Sequence, residues 1–101
     1  MKLVNLLKLK TEKGFEKDII ELKKSGKYND EIFNEIKSII EKLQHNDPIS
    51  QIYRRHKLVG DLKGYEALHI QGDLVMIFKI KDDELILVML GKHTKVYKRF
   101  K

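Results

Sequence analysis

Near residue 52 the hydrophobic pattern of this chain changes its period, from that of a helix to that of a strand. Before the switch, Ile32, Phe33, Ile36, Ile39, Ile40 and Leu43 recur at intervals that put them on one face of a helix. Asn29 or Asp30 caps that helix, and Asn46-Asp47 with Pro48, the only proline, ends it. Phe15, Ile19 and Leu22 predict an earlier helix, capped by Thr11 with Glu12 in its first turn. It closes at Ser25-Gly26, because glycine takes the left-handed conformation that ends helices. Two helices joined by so short a link form an antiparallel hairpin. Ahead of them, residues 2–9 alternate loosely and are expected to be a strand.

After the switch, residues 65–70, 74–80 and 84–90 read as strands, the last two almost continuous in Leu, Val, Ile, Met and Phe. Gln71-Gly72-Asp73 and Lys81-Asp82-Asp83 are turns short enough to make each neighbour antiparallel. The order β-α-α-β-β-β predicts an α+β domain, an antiparallel sheet with a helix hairpin packed on one face. The opposite face is then free.

Residues 1–101 suffice for a single domain with one core. No apolar run approaches the ~20 residues that span a bilayer, and MKLVNLLKLK is not expected to be a secretory signal. The absence of cysteine excludes disulfides and thiolate zinc sites, and fits a cytoplasmic location. The net charge of +6 is uneven: residues 1–50 hold ten Lys/Arg against nine Asp/Glu, residues 51–101 eleven against six. A basic surface attracts phosphate backbones, although a lysine-rich solvated face is the commoner reason for such a charge.

The excess charge travels with His56, His69, Asp73, His93 and Tyr97, which lie at strand ends and turns of the expected meander. If these ends converge, two imidazoles supply a base and an acid near neutral pH, and Asp73 can raise one histidine's pKa by ion pairing. RNA cleavage needs that pair, one group to take a proton from a 2′-hydroxyl and another to protonate the leaving 5′-oxygen. Arg54, Arg55, Lys57, Lys63, Lys92 and Lys95 are cations that could stabilise the phosphate. Of these, Arg55, Lys57, Lys63 and Lys92 are the expected RNA-binding set, together with Tyr97, which could stack on a base. Each residue alone has a plainer explanation: a histidine beside a strand is more often a surface residue, and Asp73 follows Gly72 in a turn. His45 falls in a loop with no function assigned. Three histidines and a carboxylate could also bind zinc, but none of their spacings is the close pair usual in zinc sites, and no cofactor is expected.

The run YRRHKLVGDLKGYEALHIQGD (53–73), followed by DDELILV (82–88) and LGKH (90–93), resembles the YafQ branch of the RelE/ParE toxin superfamily. The spacing His-x12-His-x3-Asp-x19-His-x3-aromatic, with Leu58, Gly60 and Gly64, carries the resemblance closely over about residues 50–97. The resemblance implies a RelE-like fold and a ribosome-dependent endoribonuclease, the toxin of a bacterial type II toxin–antitoxin pair. Such toxins cut mRNA in the ribosomal A site without a metal. Carried over by position, His56, His69, Asp73 and His93 form the active-site set, and Tyr97 stands where the family usually has Phe. Two departures bear on catalytic strength and codon preference. Gly72-Asp73-Leu74 replaces the family's common Pro-Asp-Trp, removing an aromatic that could contact RNA or brace the site, and Met89 stands where Arg is common. The implied partners are a cognate antitoxin, whose acidic, partly disordered segment covers the basic face, and mRNA on the ribosome; the free toxin is expected to be a monomer with no membrane association. The competing readings are a non-enzymatic ParE-like inhibitor of gyrase and a decayed toxin that only binds its antitoxin.

Overall fold

The computed structural model describes residues 6–99. Five strands and three helices follow in the order β1 (Lys8–Thr11), α1 (Lys13–Ser25), α2 (Asp30–Gln44), β2 (His56–Lys57), β3 (Glu66–Gln71), β4 (Leu74–Lys81), β5 (Glu84–Lys92) and α3 (His93–Arg99). Single 3-10 turns at Gln51–Tyr53 and Gly60–Leu62 flank β2.

Both helices of the hairpin form where the apolar spacing puts them. Asn29 caps α2, its side chain accepting the Ile32 N–H at 3.2 Å, and Gly26 (φ 69°) closes α1. The first cap is a correction. Glu12 occupies the cap position without a side-chain bond, and the Thr11 hydroxyl instead donates to Glu16 at 2.6 Å. Of the strand expected over residues 2–9, residues 2–5 lie outside the described residues, and the strand itself runs from Lys8 to Thr11.

The sheet order is β1-β5-β4-β3-β2. The meander β3-β4-β5 is antiparallel through the two short turns, as expected, and β2 adds a further antiparallel edge. β1, however, pairs with β5 in parallel, Lys8 opposite Glu84 through Thr11 opposite Leu87, so the sheet is mixed. β1 has no hairpin partner in sequence. It runs within one residue into α1, which packs over β5, and the burial of Phe15, Ile19 and Leu22 therefore sets the strand's direction.

Under the helices lies the main core: Phe15, Ile32, Ile36, Ile39 and Leu43 meet Leu68, Ile70, Leu74, Met76, Phe78, Leu85, Leu87 and Leu90. A bulge in β5 between the pairs Ile77–Met89 and Phe78–Leu87 leaves Val88 as the extra residue. Val88 and Met89 thereby both join the other face, where Ala67, Val75, Ile77 and Val96 make a smaller cluster. That face is not wholly free. α3, which the sequence pattern did not predict, covers part of it through the fully buried Val96.

Candidate active site

The second face carries the histidines, and the strand register explains why. His56 pairs with Ala67, two residues before His69 on the same side of β3. His69 pairs with Val75, which pairs with Gly91, two residues before His93. The result is a row of rings. His56 and His69 stack with centroids 5.5 Å apart and planes 25° from parallel. His69 and His93 follow at 6.2 Å and 27°, and the Tyr97 ring lies 4.6 Å from His93, tilted by 54°.

Each member is held from outside the row. The loop that delivers His56 is pinned to α2, since the Tyr53 hydroxyl donates to Glu35 at 2.7 Å and Gln71 donates to the same carboxylate at 3.2 Å. Arg54 then turns the chain with φ 47°, a left-handed conformation that only a turn so fixed makes worthwhile for a non-glycine residue. Its carbonyl lies 2.9 Å from His56 Nδ1. A carbonyl can only accept, so Nδ1 carries the hydrogen and, in the neutral ring, Nε2 keeps the free lone pair. His69 is half-buried in the middle of the row. Burial first, then the positive charges of Arg54 and the flanking histidines, lower its pKa below the usual 6.5. His93 opens α3, its N–H donating to the Asp73 carbonyl at 2.7 Å. Tyr97 is half-buried, and that burial raises its phenol pKa, so the ring keeps its proton.

The structure thus brings His56, His69, His93 and Tyr97 together, with Asp73 beside His93 through its backbone. The ion pair expected between Asp73 and a histidine is not formed among the described residues. Tyr97 gives part of its ring to His93 rather than presenting a free platform. The expected cations separate. Arg55 forks onto Glu66 at 2.8 and 3.2 Å and lies over the Phe78 ring, a core residue of the helix-covered face. Lys57 points from β2 opposite Glu66, the alternate side to His56, and with Lys63 lines a separate hollow against Tyr65 and Ile80. Lys92 lines a cleft between α1 and β5, where Lys95 pairs with Glu21 at 2.9 Å. Arg54 is the cation whose charge reaches His69. Its place two residues before His56 was the available signal.

The two departures from the family pattern fall on different faces. Leu74 is fully buried in the main core beneath the helices, so that position braces packing and does not face the histidines. Met89 is half-buried in the smaller cluster on the histidine face. As for zinc, stacked rings direct their nitrogens along the ring planes rather than to a common point. Among the described residues no group of three or more His, Asp or Glu could hold a metal ion. His45 is an exposed residue at the end of α2. No helix among the described residues is long and apolar enough to cross a membrane.

The family model described as the bacterial toxin of type II toxin-antitoxin systems, YafQ, matches residues 7–98. A YafQ toxin sequence of Haemophilus influenzae is 38% identical over 93 residues, covering 88% of this chain and 90% of that protein. The mRNA interferase toxin YafQ of Escherichia coli K12 is 28% identical over 83 residues, 72% of this chain and 90% of its own length. The toxin in the crystal structure of the E. coli DinJ-YafQ toxin–antitoxin complex superposes with a TM-score of 0.79 at 26% identity, covering 91% of this chain and 98% of that one.

Proposed function

The chain belongs to the YafQ family of type II toxins, and from that premise we propose that it is an endoribonuclease that cleaves mRNA held in the ribosomal A site. The observation that carries this reading is the row of three imidazoles on a basic half of the chain. The name mRNA interferase, borne by the E. coli relative, supports it.

In the proposed reaction a 2′-hydroxyl attacks the adjacent phosphorus. Its proton passes to a neutral imidazole, the O2′–P bond forms, and the P–O5′ bond breaks as the 5′-oxygen receives a proton. The products are a 2′,3′-cyclic phosphate and a 5′-hydroxyl. His69 is suited to accept the first proton, because its lowered pKa leaves the ring unprotonated at neutral pH. His56 offers Nε2 beside it and orients the attacking group. His93 at the far end of the row donates the second proton, with Tyr97 bracing its ring and Asp73 fixing its backbone. Arg54 supplies positive charge for the developing dianionic phosphorane. General acid–base help of this kind is worth about 10²–10⁴-fold. The ribosome therefore contributes the remainder by holding the RNA in line, and free RNA is a poor substrate. No metal takes part in this scheme.

A cognate antitoxin is the proposed partner, as in the E. coli complex. An acidic segment that folds on binding complements a chain of pI about 9.5. The toxin is proposed to act in the cytoplasm, as a monomer when free. Induction of the wild type should arrest growth with mRNA cut at discrete positions in primer extension, and His93→Ala should abolish both. Growth arrest with intact mRNA, or full toxicity of His93→Ala, would overturn the reading.

A further inference from the structure

The end of β5 that leads to His93 keeps β4 on one side but loses its neighbour on the other. β1 accompanies β5 only from Glu84 to Leu87, and the last backbone bond on that side joins the Glu12 N–H to the Leu87 carbonyl at 2.9 Å. Beyond it the chain has left the sheet for α1, and among the described residues the outward N–H groups of β5 have no strand to meet. At Leu90 the acceptor is a carboxylate instead: Asp18 Oδ2 takes the N–H at 2.9 Å.

Asp18 is only 3% exposed and lies on the apolar stripe of α1, between Phe15 and Leu22. A carboxylate loses its hydration there, and an apolar residue would fill the stripe without that cost. What the carboxylate gains is a charge-assisted bond, stronger than a neutral one, to the edge of a strand that β4 pairs on its other side only. Only Gly91 and Lys92 separate Leu90 from His93. On the far side of His93, Lys95 of α3 pairs with Glu21, one turn along α1 from Asp18. One helix on the opposite face of the sheet therefore grips the chain both before and after the histidine.

We infer that Asp18 is a positioning residue for His93: by holding the Leu90 N–H it fixes the outer edge of β5, which β4 supports from the other side only, and so the place from which His93 joins the row. The kinetic consequence rests on the proposed nuclease activity; the positional consequence does not.

Asp18→Asn keeps an oxygen acceptor of the same reach, Asp18→Ala removes it, and Asp18→Glu keeps the charge but displaces it by one methylene. With Asp18→Ala, the cleavage rate at saturating ribosomes should fall about tenfold or more, with the half-saturating ribosome concentration unchanged within about twofold, as for a misplaced catalytic group. His93 imidazole resonances should move in Asp18→Ala and Asp18→Glu while those of His56 stay in place, and Asp18→Asn should restore both rate and resonances. Should Asp18→Ala fail to fold, Asp18→Glu carries the same comparison. His93 resonances that stay fixed in the folded variants would overturn the inference. So would equal movement of His56 and His93, or an Asp18→Asn no better than Asp18→Ala. If wild type and variants alike fail to cleave, the nuclease reading falls, and the resonances alone decide the role of Asp18.

Discussion

The helix-covered face of the sheet and the histidine face are built from the same central strands, yet they differ in what they bury. Under the helices, Leu68, Met76, Phe78, Leu85 and Leu87 are almost wholly inaccessible and pack against Phe15, Ile36, Ile39 and Leu43. On the other face Ala67, Val75, Ile77, Val88 and Val96 form only a thin apolar floor. The histidines stand along its rim, from exposed His56 through half-buried His69 to exposed His93. One face spends its side chains on stability and leaves the other free to keep polar groups close together. Stability and activity should therefore separate by face.

The largest effect expected on the first face is from Leu68→Ala, which leaves a cavity in a closed core and should cost about 2–5 kcal/mol in urea unfolding. Cleavage should then fall only as the folded fraction falls. On the second face His93→Gln should lower single-turnover cleavage by about 10²–10⁴-fold and change unfolding free energy by less than about 0.5 kcal/mol. If the two substitutions exchanged these signatures, the division between faces would be broken. Val96→Ala sits at the boundary. Losing its methyls beneath α3 should cost about 1–2 kcal/mol and lower cleavage as well, because α3 carries His93 and Tyr97.

How far the sequence shows this division can be judged residue by residue. The helix pair, the meander and its two turns follow from apolar spacing and from Gly26, Gly72 and Asp82, which take left-handed conformations where the chain must reverse. Gathering His56, His69 and His93 on one side needs only strand alternation and register. What escapes local pattern is whatever depends on distant partners. The parallel pairing of β1 is set by helix packing, and α3 has a single fully buried apolar residue, too little periodicity to announce a helix. Arg55 and Lys57 looked like neighbours of the histidines in sequence, but alternation along β2 and the Glu66 pair send them elsewhere. The role of Leu74 was equally hidden until its face was known.

Two smaller effects sharpen the comparison. Arg55→Ala removes a partly exposed ion pair on the helix-covered side, so it should cost no more than about 1 kcal/mol and leave cleavage within about threefold of wild type. His69 links its face to pH. Its pKa is lowered in the fold, so the unfolded chain takes up that proton first as pH drops through about 6.5. Stability should therefore be full above that range and decline below it, and His69→Asn should flatten the decline in unfolding curves between pH 5 and 8. An unaltered slope would show that His69 titrates as it does in the unfolded chain.

Most direct of all is the chemistry of the cut ends. Ribosome-bound mRNA cleaved by the purified protein should carry a 2′,3′-cyclic phosphate on the upstream fragment and a 5′-hydroxyl on the downstream one, the products of imidazole-assisted attack by the 2′-hydroxyl. A 3′-hydroxyl with a 5′-phosphate would mean that water was the nucleophile, and would contradict the role given to the histidine row.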